Sequence, residues 1–214
     1  VGGYAGIKIL TLCPDNAERE LPTIQGAYLL HDAETLSPLA MIDGTALTAV
    51  RTPAVSALGV DLLAEREARE LLVFGTGPQA LQHVHAIAAV RQISRVGLVG
   101  RDLARTRAAV ERLRRDGYRV HVAHADDVAD APIIACCTSS AEPLFDGAAV
   151  DERAVVVAMG SHTPDAREVD DALLARARVY VEDPETALRE AGEIVQGADS
   201  GVLDAERLRP LREL

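Results

Sequence analysis
The sequence predicts an α/β fold: a doubly wound parallel sheet, preceded by a smaller, incomplete α+β unit. Three observations carry this. An apolar run from Leu71 breaks at the glycine turn Gly75-Thr76-Gly77, and a helical pattern follows at once from Gln79 to about Arg91. From Leu71 onward, short apolar runs alternate with segments of helical periodicity, the pattern of parallel strands with covering helices. Before Leu71 the apolar runs are separated by polar turns, which read as an antiparallel hairpin followed by a helix.

The elements follow in order. Residues 7–12 read as a strand, and Leu21-Pro22-Thr23-Ile24-Gln25-Gly26 leads into a second over 27–31. A polar turn over 32–37 returns through 38–42. Asp43-Gly44-Thr45 offers a helix start, and apolar residues recur at helical spacing from Leu47 to Leu63. Pro53 is expected to bend that helix or mark its true first turn. Parallel strands are expected at 71–75, 96–100, 118–123, 132–137, 154–159 and 178–182. Helices are expected to centre on 79–91, 103–115, 126–130 and 168–176, with another over 184–195. A loop over 196–203 precedes a last helix starting at 204–211. The expected division is 1–60, then the sheet domain over 61–190, then a C-terminal segment over 191–214.

Composition narrows the function. The 214 residues carry 33 acidic against 22 basic side chains, a net charge of −11, with 3% aromatics. A nucleic-acid binder needs a basic face and rings for stacking, so no nucleic-acid partner is expected. The 48% hydrophobic content suffices for a core without staples. No apolar run reads as long enough to span a bilayer and no signal peptide heads the chain, so neither membrane nor export is expected. Cys13, Cys136 and Cys137 are odd in number and lack metal spacing. They suit a reducing cytoplasm, and the adjacent pair should point to opposite faces of one strand. The first residue is Val1 and the last, Leu214, falls in charged helical sequence. A piece of a longer protein is the expectation.

The turn carries the chemistry. Gly75-Thr76-Gly77-Pro78-Gln79-Ala80 is G-x-G-x-x-A in the strand–turn–helix context of a Rossmann-type dinucleotide site. Gly75 permits the tight turn, Gly77 lets the backbone approach a diphosphate, and Ala80 keeps the helix near its strand. Pro78 lacks an N–H, so Gln79 takes more of the contact at the positive end of the helix. The residue closing the second parallel strand reads the adenosine ribose: an acid favours NAD, a nearby arginine NADP. Here Arg101 comes first, which favours NADP(H) over NAD(H). Asp102 equally suits a ribose acid or a helix cap. Ligands in open parallel sheets lie beyond the carboxyl ends of strands. Thr138 and Ser139, and then Met159, Gly160 and Ser161, occupy two such ends; an ordinary hydroxyl-bearing loop is the rival reading for the first pair. His83 and His85 are two apart on a helix, share no face, and give no metal site. Of 22 Lys plus Arg, Lys8 is the single lysine and the other 21 are arginine. A compact ammonium does what guanidinium does not.

Five blocks stand together: Leu21-Pro22-Thr23-Ile24-Gln25-Gly26, Met41-Ile42-Asp43-Gly44-Thr45-Ala46-Leu47-Thr48-Ala49-Val50-Arg51-Thr52, the Gly75 turn, Cys137-Thr138-Ser139-Ser140, and Gly160-Ser161-His162-Thr163-Pro164-Asp165-Ala166-Arg167-Glu168. In these blocks the chain resembles the ornithine cyclodeaminase/mu-crystallin family. The resemblance implies that 1–60 is part of a substrate-binding and dimerisation domain, to which 191–214 returns. The family's chains are longer at both ends, and a homodimer is implied for the full-length chain. Its members use a nicotinamide cofactor for hydride transfer at the α-carbon of an amino or imino acid. Lys8 and Arg51 then match substrate-carboxylate positions, and Lys8, where buried, could also exchange a proton. Thr23 matches a position near the cofactor, though a simple strand threonine explains it equally. His162 stands where true cyclodeaminases carry an aspartate. Histidine suits a proton donor near neutral pH but does not reproduce a carboxylate. The implied activity is therefore an NADP(H)-preferring cyclic ketimine reductase or amino-acid dehydrogenase acting on a small imino or amino acid. Ornithine cyclodeaminase itself and a non-enzymatic NADP-dependent binder are the alternatives.

Overall fold
The computed structural model describes residues 3–19 and 21–214. The chain falls into two compact units, Val1–Thr52 and Pro53–Leu214.

In the first unit, β1 (Tyr4–Leu12), β2 (Ile24–Asp32) and β3 (Pro38–Asp43) form an antiparallel sheet in the order β1-β2-β3. The expected hairpin is thus its second half, and β1 extends it. Asp32 Oδ1 closes the β2–β3 turn by accepting from the Glu34 and Thr35 amides. Asp43 Oδ1 accepts from the Thr45 and Ala46 amides at 2.7 and 3.0 Å, capping α1 (Gly44–Leu63). A Cβ at Gly44 would come within 2.7 Å of the Gly26 carbonyl carbon, so the helix start lies against the β2 backbone only because residue 44 is glycine. Register puts Lys8, Leu10, Tyr28 and Ile42 on one face of this sheet. Ile7, Ile9, Leu29 and Met41 alternate onto the other, where Ile7, Ile9 and Met41 are 57, 55 and 77% exposed.

The second unit holds β4 (Glu70–Phe74), β5 (Arg95–Val99), β6 (Val120–Val122), β7 (Ile133–Cys136) and β8 (Val155–Ala158). They form one parallel sheet in the order β6-β5-β4-β7-β8. Its helices are α2 (Pro78–Val90), α3 (Leu103–Arg115), α4 (Asp171–Leu174), α5 (Pro184–Glu190) and α6 (Gly192–Asp199). β4 and β7 are buried on both sides, and their residues alternate between two cores. Leu71, Val73, Ile133 and Ala135 pack with Ala57, Val60, Val84, Ile87 and Leu113. Leu72, Phe74, Ile134 and Cys136 pack with Phe145, Val150, Val169 and Leu173. This explains their unbroken apolar sequence. Cys136 and Cys137 point to opposite faces, and burial pushes both thiols up from their ordinary value.

Several expected elements differ. The segment over 178–182 does not join the main sheet. Its Tyr180–Val181 (β9) pairs in parallel with Arg209–Pro210 (β10). No helix covers 204–211: Asp204 caps a short 3-10 turn at Ala205–Arg207, and Pro210 lacks the N–H a helix would need. The helix expected over 126–130 is a 3-10 turn, Ala125–Ala129. That over 168–176 shrinks to α4, because Glu168 is drawn into the interior and Asp170 caps the chain only afterwards. The helix over 184–195 breaks at Ala191, whose ψ is 108°, and α6 then runs on through the expected loop. Pro53 lies inside α1 and does not begin it. By length and composition α1 is apolar enough to cross a membrane, which the sequence reading did not register. It carries Arg51 and Asp61, and its Ala57 and Val60 pack into a core, while 28% of its apolar stretch is buried. The division falls between Thr52 and Pro53, within α1, against the expected 60/61; residues 191–214 belong to the second unit.

Candidate functional site
The order of connection reverses between β4 and β7, and the crevice beyond their carboxyl ends is where doubly wound sheets bind ligands. The glycine turn opens there. Gly75 has φ +116°, and a Cβ on it would overlap the Cys137 carbonyl oxygen. Two backbone bonds lock the turn to its neighbours: Gly75 N donates to Val99 O and Cys137 N to Phe74 O, each at 2.8 Å. Gly77 differs. Its φ is −81°, and a Cβ on it would meet nothing within 4 Å. It is the N-cap of α2, and no side chain caps that helix. By contrast Asp102, Asp170 and Asp183 cap α3, α4 and α5. Pro78 is the first helical residue, followed by Gln79, and Ala80 is fully buried. An uncapped helix start with open space at a glycine is the donor set a diphosphate requires.

Beyond β5, Arg101 is exposed and Asp102 is the α3 cap, its Oδ1 accepting from Arg105 N at 3.0 Å. That amide holds the Asp102 carboxyl below the usual carboxylate range. Of the two roles open to Asp102, the fold uses the cap.

The ends of β7 and β8 meet through a residue that sequence reasoning passed over. Glu168 is fully buried. Its Oε1 accepts from Thr138 N at 2.7 Å and Thr138 Oγ1 at 2.6 Å, and its Oε2 from Gly160 N at 2.8 Å. Burial raises the Glu168 carboxyl, the three donors oppose this, and the nearby Glu193 adds a smaller upward push. Glu193 is also buried, and its Oε1 accepts from Glu168 N at 2.8 Å. Ser161 is fixed too: its Oγ donates to Ala166 O and accepts from Gly192 N. Met159 N donates to Cys136 O. Ser139 and His162 are exposed. Asp165 sits in the turn, where the Thr163 hydroxyl holds its carboxyl low.

Lys8, Thr23 and Arg51 belong to the first unit. Lys8 Nζ donates to Thr48 Oγ1 at 2.6 Å, and Thr48 Oγ1 donates to Gly44 O at 2.7 Å. Arg51 is exposed on the same helix, three residues on from Thr48. Lys8 is exposed, so the burial envisaged for proton exchange is not present. Thr23 is exposed and its carbonyl accepts from Cys13 N. Gly75, Gly77, Pro78, Gln79, Arg101, Thr138, Ser139, Met159, Gly160 and Ser161 thus share the carboxyl edge of the parallel sheet, whereas in the first unit Lys8 bonds to Thr48 and Arg51 follows on the same helix. Glu168 closed a quoted block of the sequence, but nothing local showed that its partners lie at two strand ends.

The family model described as "Ornithine cyclodeaminase/mu-crystallin family" matches residues 1–212. The chain belongs to this family. Among its relatives, the chain is 38% identical to the Delta(1)-pyrroline-2-carboxylate reductase of Colwellia psychrerythraea, over 89% of this chain and 62% of that protein. Among solved structures it resembles the Thermococcus litoralis Delta(1)-pyrroline-2-carboxylate reductase in complex with NADH and L-proline. There the TM-score is 0.88 and the identity 26%, covering 95% of this chain and 64% of that one. It also resembles an archaeal alanine dehydrogenase dimer with bound NAD, with a TM-score of 0.90 and 28% identity, over 96% and 64% of the two chains. The chain therefore spans somewhat less than two thirds of the length of each of these proteins.

Proposed function
We propose that this chain belongs to a nicotinamide-dependent oxidoreductase that reduces a small cyclic imino acid, with NADP(H) favoured over NAD(H). The observation that carries the reading is the start of α2: an uncapped helix terminus, open at Gly77, at the reversal point of the sheet. Similarity to a reductase solved in complex with NADH and L-proline supports the nicotinamide and imino-acid parts of the reading; the preference for NADP(H) rests on Arg101.

When bound, the dinucleotide supplies the hydride that the imine carbon accepts. The first-turn amides of α2, Gln79 foremost, hold the diphosphate. Arg101 takes the 2′-phosphate, while Asp102 is occupied as a cap. Lys8 and Arg51 grip the substrate carboxylate and so fix the α-carbon. His162 holds the proton that completes the amine nitrogen. Imidazole at this position favours imine reduction over the ring closure and deamination of ornithine. Homodimer formation is part of the proposal, supported by the exposed apolar face of Ile7, Ile9 and Met41. So is a cytoplasmic location.

The test mixes the purified intact protein with NADPH or NADH and cyclic imino acids, and separately with ornithine. Cofactor oxidation dependent on the imino acid is expected. Ammonia and proline from ornithine without net cofactor change would replace the reading with a cyclodeaminase. Cofactor binding without any turnover would replace it with a binder.

A further inference from the structure
We propose that Glu168 is a positioning residue for the nicotinamide end of the cofactor site, a carboxylate clamp that sets the β7 and β8 ends relative to each other. The inference rests on the reading of the carboxyl edge as a dinucleotide site. The strand ends are in contact: a Cβ at Gly160 would overlap the Thr138 carbonyl oxygen and lie 2.8 Å from the Glu168 carboxyl carbon. One carboxylate gathers both ends, taking two donors from Thr138 on one oxygen and one from Gly160 on the other. Its own backbone is fixed by Glu193 at its amide and by Leu144 N at its carbonyl. Five hydrogen bonds on one fully buried residue leave it little freedom. The segments it joins contain Thr138, Ser139, Met159, Gly160 and Ser161, at the ends of β7 and β8; these strands lie on the other side of β4 from β5, whose end carries Arg101, so they take the nicotinamide half of a dinucleotide laid across the sheet. Glu168 itself touches none of the reactants in this assignment and acts through those segments.

The ionised form accepts all three donors as charge-assisted bonds; a protonated carboxyl accepts them more weakly and must also place an O–H among them. Burial raises this carboxyl above its ordinary value. A raised carboxyl binds its proton more tightly in the folded than in the unfolded chain, so acid releases the clamp within the folded protein and does not act through this group to unfold it. The titratable groups within electrostatic reach of it are Glu193 on α6 and, on opposite sides of the chain at the end of β7, the thiols of Cys136 and Cys137, both pushed up by burial and therefore protonated. Arg167, next in the chain, turns away to Val169 O and Asp171 Oδ1.

The test compares Glu168→Gln with the unaltered protein, using whichever of NADH and NADPH the latter binds and the matching ADP-ribose or 2′-phospho-ADP-ribose, which lack nicotinamide. Circular dichroism and thermal melting establish folding. Glu168→Gln keeps the shape but turns an amide toward a backbone N–H. It should weaken the reduced dinucleotide and lower kcat, each by about tenfold or more, while the ADP-ribose affinity stays within about twofold. The acid limb of the kcat profile should vanish in the variant. Equal losses for dinucleotide and ADP-ribose would overturn the proposal, as would an unchanged kcat and dinucleotide affinity. If Glu168→Gln fails to fold, Thr138→Val removes the hydroxyl arm, together with the acceptor of Ser140 N, and should show the same split at smaller size; no split overturns it. Absence of any dinucleotide binding by the unaltered protein would be separately visible and would remove the site reading together with this inference.

Discussion

The two glycines of the turn should respond to alanine in opposite ways. Gly75 sits at φ +116°, and a methyl there would overlap the Cys137 carbonyl oxygen and come within 3.1 Å of the carbonyl carbon. That carbonyl does not yield easily, because its own residue donates to Phe74 O at 2.8 Å. The unfavourable φ costs about 1–3 kcal/mol, and displacing packed backbone about 1–3 kcal/mol more. Gly75→Ala should therefore lose about 2–6 kcal/mol of stability, a large part of a typical total of about 5–15 kcal/mol. Gly77 has an ordinary φ and open space where its Cβ would be. Alanine there loses some N-cap preference but stiffens the unfolded chain, so the net stability change should stay within about 1 kcal/mol. The methyl would instead occupy the space proposed for the diphosphate. Losing one charge-assisted hydrogen bond, at about 1.5–3 kcal/mol, weakens the dinucleotide roughly 10–150-fold. Urea denaturation and fluorescence titration of the reduced dinucleotide read the two effects. A Gly77→Ala protein that is stable and binds as before would refute the diphosphate assignment. A Gly75→Ala protein of unchanged stability would refute the steric account of the turn.

Other outcomes follow from the same contacts. Arg101→Ala should weaken NADPH about tenfold or more and leave NADH within about twofold; equal changes would remove Arg101 from cofactor choice. Arg51→Lys keeps charge but not the two-pronged grip, and should raise KM for the imino acid about tenfold without changing dinucleotide affinity; an unaltered KM would count against it. Thr48→Val removes the partner of Lys8 Nζ and should act in the same direction with a smaller effect; a changed dinucleotide affinity would point elsewhere. His83 is fully buried between Gln79 O and Ser56 Oγ, and burial holds its imidazole below the ordinary value. The unfolded chain then takes up the proton first, so stability falls as pH drops below about 6.5. His83→Gln should flatten that part of the unfolding profile, and an unaltered profile would show that another group governs it.

What the sequence displayed was local chemistry. The glycine turn was legible because its requirement, a positive φ at Gly75, involves a single residue. β4 and β7 were legible because burial on both faces leaves no polar position. The α3 span was legible because Asp102 precedes a clear 3.6-residue pattern. What stayed hidden depends on distant partners. Glu168 reads as one more acid beside Asp170 and Asp171, yet it is buried because donors 30 and 8 residues away converge on it. Lys8 and Thr48 are 40 residues apart, and neither announces the other. β9 and β10 form a ladder of two residues each, too short for periodicity to reveal. The run Ala205-Glu206-Arg207-Leu208 has helical composition, but Pro210 prevents its extension.

Titration of the intact protein with NADPH and NADH, followed by the fluorescence of the reduced nicotinamide, tests the central claim most directly. Saturable binding at one site per chain is predicted, tighter for NADPH and reduced in Gly77→Ala. A folded protein that binds neither dinucleotide would contradict it.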